Sequence, residues 1–102
     1  MGVPGCPIER TAAVLTGKWT TLIVRDLLEG SRRFGELRAS LSGISPKTLS
    51  DRLRSLEEQG ILTRHYFAEM PPRVQYQLTK RGRSLEPILD AMRAWGAAHA
   101  AR

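Results

Sequence analysis

The segment 34–62, FGELRASLSGISPKTLSDRLRSLEEQGIL, constrains this chain more than any other part of it. Ser45-Pro46 predicts a helix start. A serine oxygen accepts from an orphan amide of the first turn, and proline at the first helical position loses no bond that could have formed. Gly60 predicts the stop, because glycine tolerates the left-handed conformation that ends helices. Between them Leu49, Leu53 and Leu56 recur on one helical face. Lys47, Asp51, Arg54 and Glu58 fall on the opposite face, with Thr48 and Ser55 beside them. A preceding helix runs from about residue 34 to 41, with Phe34, Leu37 and Leu41 on its apolar side. Ser42-Gly43 signals a turn, and Ile44 is expected to be buried as a pin between the two helices. Helix, tight turn and second helix with a polar outer face make a helix-turn-helix, whose second helix can lie in the major groove of DNA.

Charge agrees with that reading. The net charge is +6, and all of the excess lies in residues 31–83, which hold eleven of the sixteen basic groups and five of the ten acidic ones. The flanking segments are each neutral. A localised basic surface is what a polyanion selects, through phosphate neutralisation and counterion release.

At 102 residues the chain suits one domain. The start, MGVPGCP, lacks the basic stretch and apolar run of a secretory signal, and no segment approaches the length needed to span a bilayer. One cysteine cannot form an internal disulfide. A soluble, cytoplasmic protein without membrane partners is expected.

Residues 7–16 read as a short helix with Ile8, Ala12 and Leu15 facing inward, ended or bent at Gly17. Lys18 to Glu29 reads as a stronger helix with Trp19, Leu22, Ile23 and Leu27 on its inner stripe, capped by Gly30. After the helix-turn-helix, residues 61–67 and 73–78 read as two strands around the loop Ala68-Glu69-Met70-Pro71-Pro72, a β-hairpin wing whose basic groups are Arg64, His65 and Arg73. Thr79 is placed to cap a last helix. Lys80, Arg81 and Arg83 at its start oppose the helix dipole, a hint of nearby phosphate. Leu85, Ile88, Leu89, Met92 and Trp95 continue its stripe, and Pro87 predicts a kink or a restart.

Taken in order, CPIE at 6–9, GKWTTLIVRDLLEG at 17–30, RRFGELRASLSGISPKTLSDRLRSLEEQGIL at 32–62, PPRVQYQLTKRGRSL at 71–85 and Trp95-Gly96 resemble the HxlR-type family of bacterial winged helix-turn-helix transcription regulators. The resemblance spans about residues 6–96. It implies a homodimer that binds double-stranded DNA at an inverted-repeat operator and represses or activates nearby genes, often in response to a small molecule or to oxidative or electrophilic stress. The expected fold is thus mainly α with a small β-hairpin wing, one domain over 1–102. The helix-turn-helix is placed at about 34–59, the wing at about 61–78, and terminal dimerisation helices at about 7–16 and 80–99.

Individual residues carry two readings each. Lys47 and Arg54 are candidates for guanine edges or phosphates, or else for a solvated face in which Lys47, Asp51 and Arg54 bond one another. Asp51 either accepts from cytosine or orients Lys47, and the second is preferred. Ser45, Thr48, Ser50 and Ser55 are small donors suited to DNA, with Ser45 already explained by capping. Arg64 and Arg73 on the wing, and Arg32 and Arg33 at the entry of the helix-turn-helix, are candidates for phosphate or for solvated surface. Trp19 and Trp95 read as packing groups rather than ligand stackers, and for Trp95 that core can form across a dimer. Ile8, Leu15, Leu85, Leu89, Met92 and Trp95 are assigned to the subunit interface, which the resemblance also implies. Cys6, near a helix N-terminus, is either a structural cysteine, the preferred reading, or a redox group of the kind the resemblance allows. There is no GxSxG, HExxH, P-loop or GxGxxG, and His65 and His99 lack ligand-like spacing to Cys6, so no enzyme, metal or cofactor is expected. The competing function is a winged helix used only for protein contacts.

Overall fold

The computed structural model describes residues 5–100. Met1–Pro4, most of the stretch read above as lacking a signal, lie outside them, as do Ala101 and Arg102. The elements in chain order are α1 (Pro7–Val14), α2 (Lys18–Leu28), β1 (Arg32–Arg33), α3 (Phe34–Ser40), α4 (Pro46–Glu58), β2 (Leu62–Phe67), β3 (Arg73–Leu78), α5 (Lys80–Arg83) and α6 (Glu86–Ala98). The fold is a mainly helical winged helix-turn-helix with a small antiparallel sheet.

α2 is central. Its Ile23, Val24 and Leu27 meet Leu37 from α3, Leu41 at the end of that helix, and Leu49, Leu53 and Leu56 from α4, all fully or nearly buried. Ile44 in the turn is buried as expected, and Gly43 reaches φ +92°, a conformation open to glycine and strained for other residues. α4 begins and ends where its capping residues require. The Thr48 amide donates to Ser45 Oγ at 3.1 Å. At the other end Gly60 takes φ +74°, with its N–H bonded to the Glu57 carbonyl and that of Ile61 to the Leu56 carbonyl. This is a Schellman closure, and it turns the chain directly into β2.

The wing pairs β2 with β3 antiparallel, from Leu62 opposite Leu78 to Phe67 opposite Arg73. Sequence reading missed β1. Arg32 and Arg33 pair with Tyr76 and Gln75 and complete a sheet of order β1-β3-β2. The wing is thereby tied to the entry of the helix-turn-helix as well as to its exit.

The root of the wing carries a second fastening. The Thr79 hydroxyl accepts from the Gly82 amide at 3.0 Å and donates to the Gly60 carbonyl at 2.6 Å. The Thr79 amide bonds the Ile61 carbonyl at 3.0 Å. Gly82 is buried so closely against Ile61 that a Cβ there would overlap the Ile61 carbonyl oxygen. Thr79, the end of α4 and the start of β2 are therefore one packed unit.

Two expectations need correction at the chain ends. The last helix restarts, one of the two outcomes that Pro87 predicted: α5 is a single turn and α6 begins with Pro87 in its first turn, where a missing N–H costs nothing. The dipole argument for phosphate near Lys80, Arg81 and Arg83 falls with it, because one turn carries little dipole and the Arg83 guanidinium donates to the Leu78 carbonyl at 3.0 Å. α1 buries none of its residues within the protomer. Ile8 and Ala12, expected inward, are exposed, and Leu15 is half-buried.

Candidate nucleic-acid interface

The outer face of α4 is open along its whole length. Lys47, Ser50, Asp51, Arg54 and Ser55 are exposed and Thr48 is half-buried. Their side chains are not equally free. Ser45 Oγ, besides capping, lies 2.9 Å from Thr48 Oγ1, so these two hydroxyls are largely spent on each other and on the helix end. Lys47 Nζ pairs with Asp51 Oδ2 at 3.0 Å, the orienting role preferred for Asp51. An exposed i, i+4 pair of this kind contributes only about 0.3–0.5 kcal/mol, so a stronger anion can take the lysine from it. Ser55 Oγ accepts from Gln59 Nε2 at 3.1 Å. Arg54 makes no hydrogen bond or ion pair among the described residues, and Ser50 has no side-chain partner there either.

The wing brings a second cation to the same place. Ser50, Arg54 and Glu57 from α4 face Arg64 of β2 and Tyr76 of β3 across a polar groove of about 290 Å³. Arg64 is exposed and, like Arg54, unpaired among the described residues. Two free guanidinium groups around one groove form an anion-accepting notch, since each offers several N–H donors to phosphate oxygens. Glu57 was not singled out from sequence. Its carboxylate lies in the same groove and limits the notch's net charge.

Of the remaining predicted arginines, Arg73 and Arg32 are committed elsewhere and the Arg33 side chain is not. Arg73 holds Glu69 through Nη2–Oε2 at 2.6 Å and Nε–Oε1 at 3.3 Å, and its guanidinium lies 4.0 Å from the centre of the Phe67 ring. The hydrogen bond and charge of Arg73 pull the Glu69 carboxyl below its ordinary value, and Glu69 in turn raises Arg73. Arg73 thus stiffens the wing loop, a role that the Glu69 spacing signals and that sequence reading passed over. Arg32 donates to Glu29 at 3.1 Å and to the Ser31 carbonyl. Arg33 is exposed and has no ion pair among the described residues; its backbone N–H is capped by Glu36 at 2.8 Å.

The proposed subunit-interface residues divide into two groups. Leu85 and Leu89 are buried in the protomer's own core, so they are not the surface on which a partner would land. Ile8, Met92 and Trp95 are exposed, at 78, 48 and 66%. Trp95 stacks on His99 with ring centroids 4.4 Å apart, and Trp19 is half-buried against the core. Cys6 is exposed at the N-cap of α1.

A buried three-helix core, a recognition helix with an open polar face and a hairpin arm beside it define a winged helix-turn-helix transcription regulator. The chain belongs to the HxlR-like helix-turn-helix family, whose profile matches residues 14–102. It is 48% identical over 91 residues to the uncharacterized HTH-type transcriptional regulator sll1512 of Synechocystis, covering 89% of this chain and 67% of that protein. It is 39% identical over 92 residues to YdeP of Bacillus subtilis, an uncharacterized regulator of the same type, covering 90 and 72%. Among solved structures it is similar to the redox regulator HypR in its reduced form, with a TM-score of 0.87 and 39% identity over 91% of this chain and 92% of that one. No helix among the described residues is long and apolar enough to cross a membrane.

Proposed function

We propose that the chain is a sequence-specific double-stranded DNA-binding transcription regulator that acts in the cytoplasm, bound to the nucleoid, as a homodimer on an inverted-repeat operator. The single observation that carries this reading is the notch in which Arg54 of the recognition helix and Arg64 of the wing, both unpaired among the described residues, face one groove. With α4 in a major groove, Ser50, Lys47 and Arg54 reach base edges or adjacent phosphates, and Arg64 holds backbone at the groove edge. Asp51 sets the position of Lys47. Ser45 and Thr48 serve the helix end first. Arg73 supports the wing and Arg32 holds Glu29 before any phosphate, while the exposed Arg33 side chain remains available to backbone.

The partner surface in this reading comprises Met92 and Trp95, about one turn apart on α6, and Ile8, which shares an apolar hollow with Ile88 of the same helix; exposed large apolar groups mark an association site. HypR is named a redox regulator. In this chain Cys6 alone would have to bond a second chain or an outside thiol, so a Cys6→Ser variant whose duplex affinity still responds to diamide like the parent excludes a thiol sensor. The main test is duplex binding across a salt series on sites selected from a random pool. A steep fall of affinity with salt is expected. A chain that retains no duplex even in dilute buffer refutes the assignment and leaves protein contact as the use of the fold.

A further inference from the structure

α1, α5 and the start of α6 surround a cleft of about 420 Å³. Val14, Ile61, Leu85 and Ile88 give it an apolar lining, and Arg10 of α1 and Arg81 of α5 bring two cations to it. No acidic side chain lines it. Both arginines are exposed and have no ion pair among the described residues, whereas Arg32, Arg73 and Arg93 each hold a carboxylate. The two hydroxyls in the lining are spent locally: Thr11 donates to the Pro7 carbonyl and Ser84 to the Arg81 carbonyl. The side-chain donors left for a guest are the guanidinium groups of Arg10 and Arg81.

We infer that this cleft binds a small organic carboxylate with an apolar body, and that its occupancy is felt at the root of the wing. The carboxylate meets the fork of Arg10 or Arg81, and the ring or chain displaces water from Val14, Ile61 and Ile88. The volume lies within the usual range for small-molecule sites and suits one ring with a short substituent. The link to the wing is covalent and packed. Ile61 is both part of the lining and the residue whose carbonyl takes the Thr79 amide and abuts Gly82. The Arg81 stem passes Gly60, its Cδ lying 3.8 Å from where a Gly60 Cβ would be. Drawing Arg81 toward a ligand therefore loads the junction of α4 and β2. What that does to an operator rests on the DNA reading above; the binding itself does not.

The test uses the full isotopically labelled chain, titrated with benzoate and, separately, with benzyl alcohol, the same ring without charge. Benzoate should move the amide signals of Val14, Gly60, Ile61, Thr79 and Arg81. Benzyl alcohol should bind about tenfold or more weakly. Arg10→Gln and Arg81→Gln should each weaken benzoate by about tenfold, with thermal unfolding unchanged. Equal binding of the alcohol, an unchanged benzoate affinity in both variants, or absence of shifts at those amides overturns the inference. So does a cleft already covered by a second copy, seen as Arg81→Gln weakening the dimer instead of the benzoate complex. Duplex retention is read on the same samples. Benzoate uptake without duplex binding refutes the regulator reading and leaves the cleft; duplex binding without benzoate shifts does the reverse.

Discussion

α4 and α6 are both thirteen-residue helices with proline in the first turn, yet they meet solvent in opposite ways. α4 buries Leu49, Leu53 and Leu56 and, after Pro46, turns only polar and charged groups outward. α6 buries Leu89 alone and leaves Met92 and Trp95 in water. The first helix is complete within its protomer, and water satisfies its outer face until a polyanion replaces it. The second keeps apolar side chains in solvent, which the proposed homodimer would cover. The two helices thus differ in the chemistry of the uncovered face rather than in length or start signal.

Several substitutions would break or sharpen that contrast. Leu53→Ala removes a fully packed side chain and should cost about 2–5 kcal/mol in denaturant unfolding, at any protein concentration. Trp95→Ala should leave the protomer nearly as stable at high dilution but weaken self-association by about 2 kcal/mol or more, measured by sedimentation over a concentration series. A concentration-independent loss of that size would place Trp95 in the protomer core after all. Arg54→Ala and Arg64→Ala should each cost about 1–3 kcal/mol in duplex binding. Where the lost contact is a phosphate, the salt slope should fall by about one and the loss should be uniform across sites. A site-dependent loss for Arg54 and a uniform one for Arg64 would divide base reading from backbone holding. Ser45→Ala should cost about 1 kcal/mol of stability through the cap.

The smallest effect is electrostatic. Glu69 has a folded value below its ordinary 4.5, so its pairing with Arg73 supports the folded wing loop above that pH and is lost as pH falls through the lower folded value. Carbon-detected titration of the Glu69 carboxyl should show the depressed midpoint, and Arg73→Ala should return it toward 4.5. An unmoved midpoint would detach Arg73 from that carboxylate and make it available to DNA.

Much of this was legible in the residues because local chemistry and global packing coincide there. Ser45, Pro46 and Gly60 bound α4 correctly, since caps act within a turn of the chain. The sequence of strand 73–78 alternates, and its burial follows from Tyr76 to Leu78, while residues 73–75 are all half-buried. β1 escaped notice because two arginines carry no periodicity, and their pairing with Tyr76 and Gln75 is a matter of backbone alone. Leu85 and Leu89 could not be told from Met92 and Trp95 on one stripe, since a stripe reports apolarity and not which body covers it. At the interface, spacing gave the Lys47–Asp51 pair, but the convergence of Arg54 with Arg64 depends on how the hairpin lies beside the helix. Arg81 and Arg10 are more than seventy residues apart, and only the fold places them on one cleft.

The fastening at Thr79 carries a consequence for the DNA. Because its hydroxyl spans Gly60 and Gly82, and Gly82 admits no side chain against Ile61, the root of the hairpin is fastened to the end of the reading helix. The reading surface then behaves as a rigid caliper. Its two jaws touch down a set number of base pairs apart, so one base pair inserted inside a half-site should loosen the grip of both jaws together.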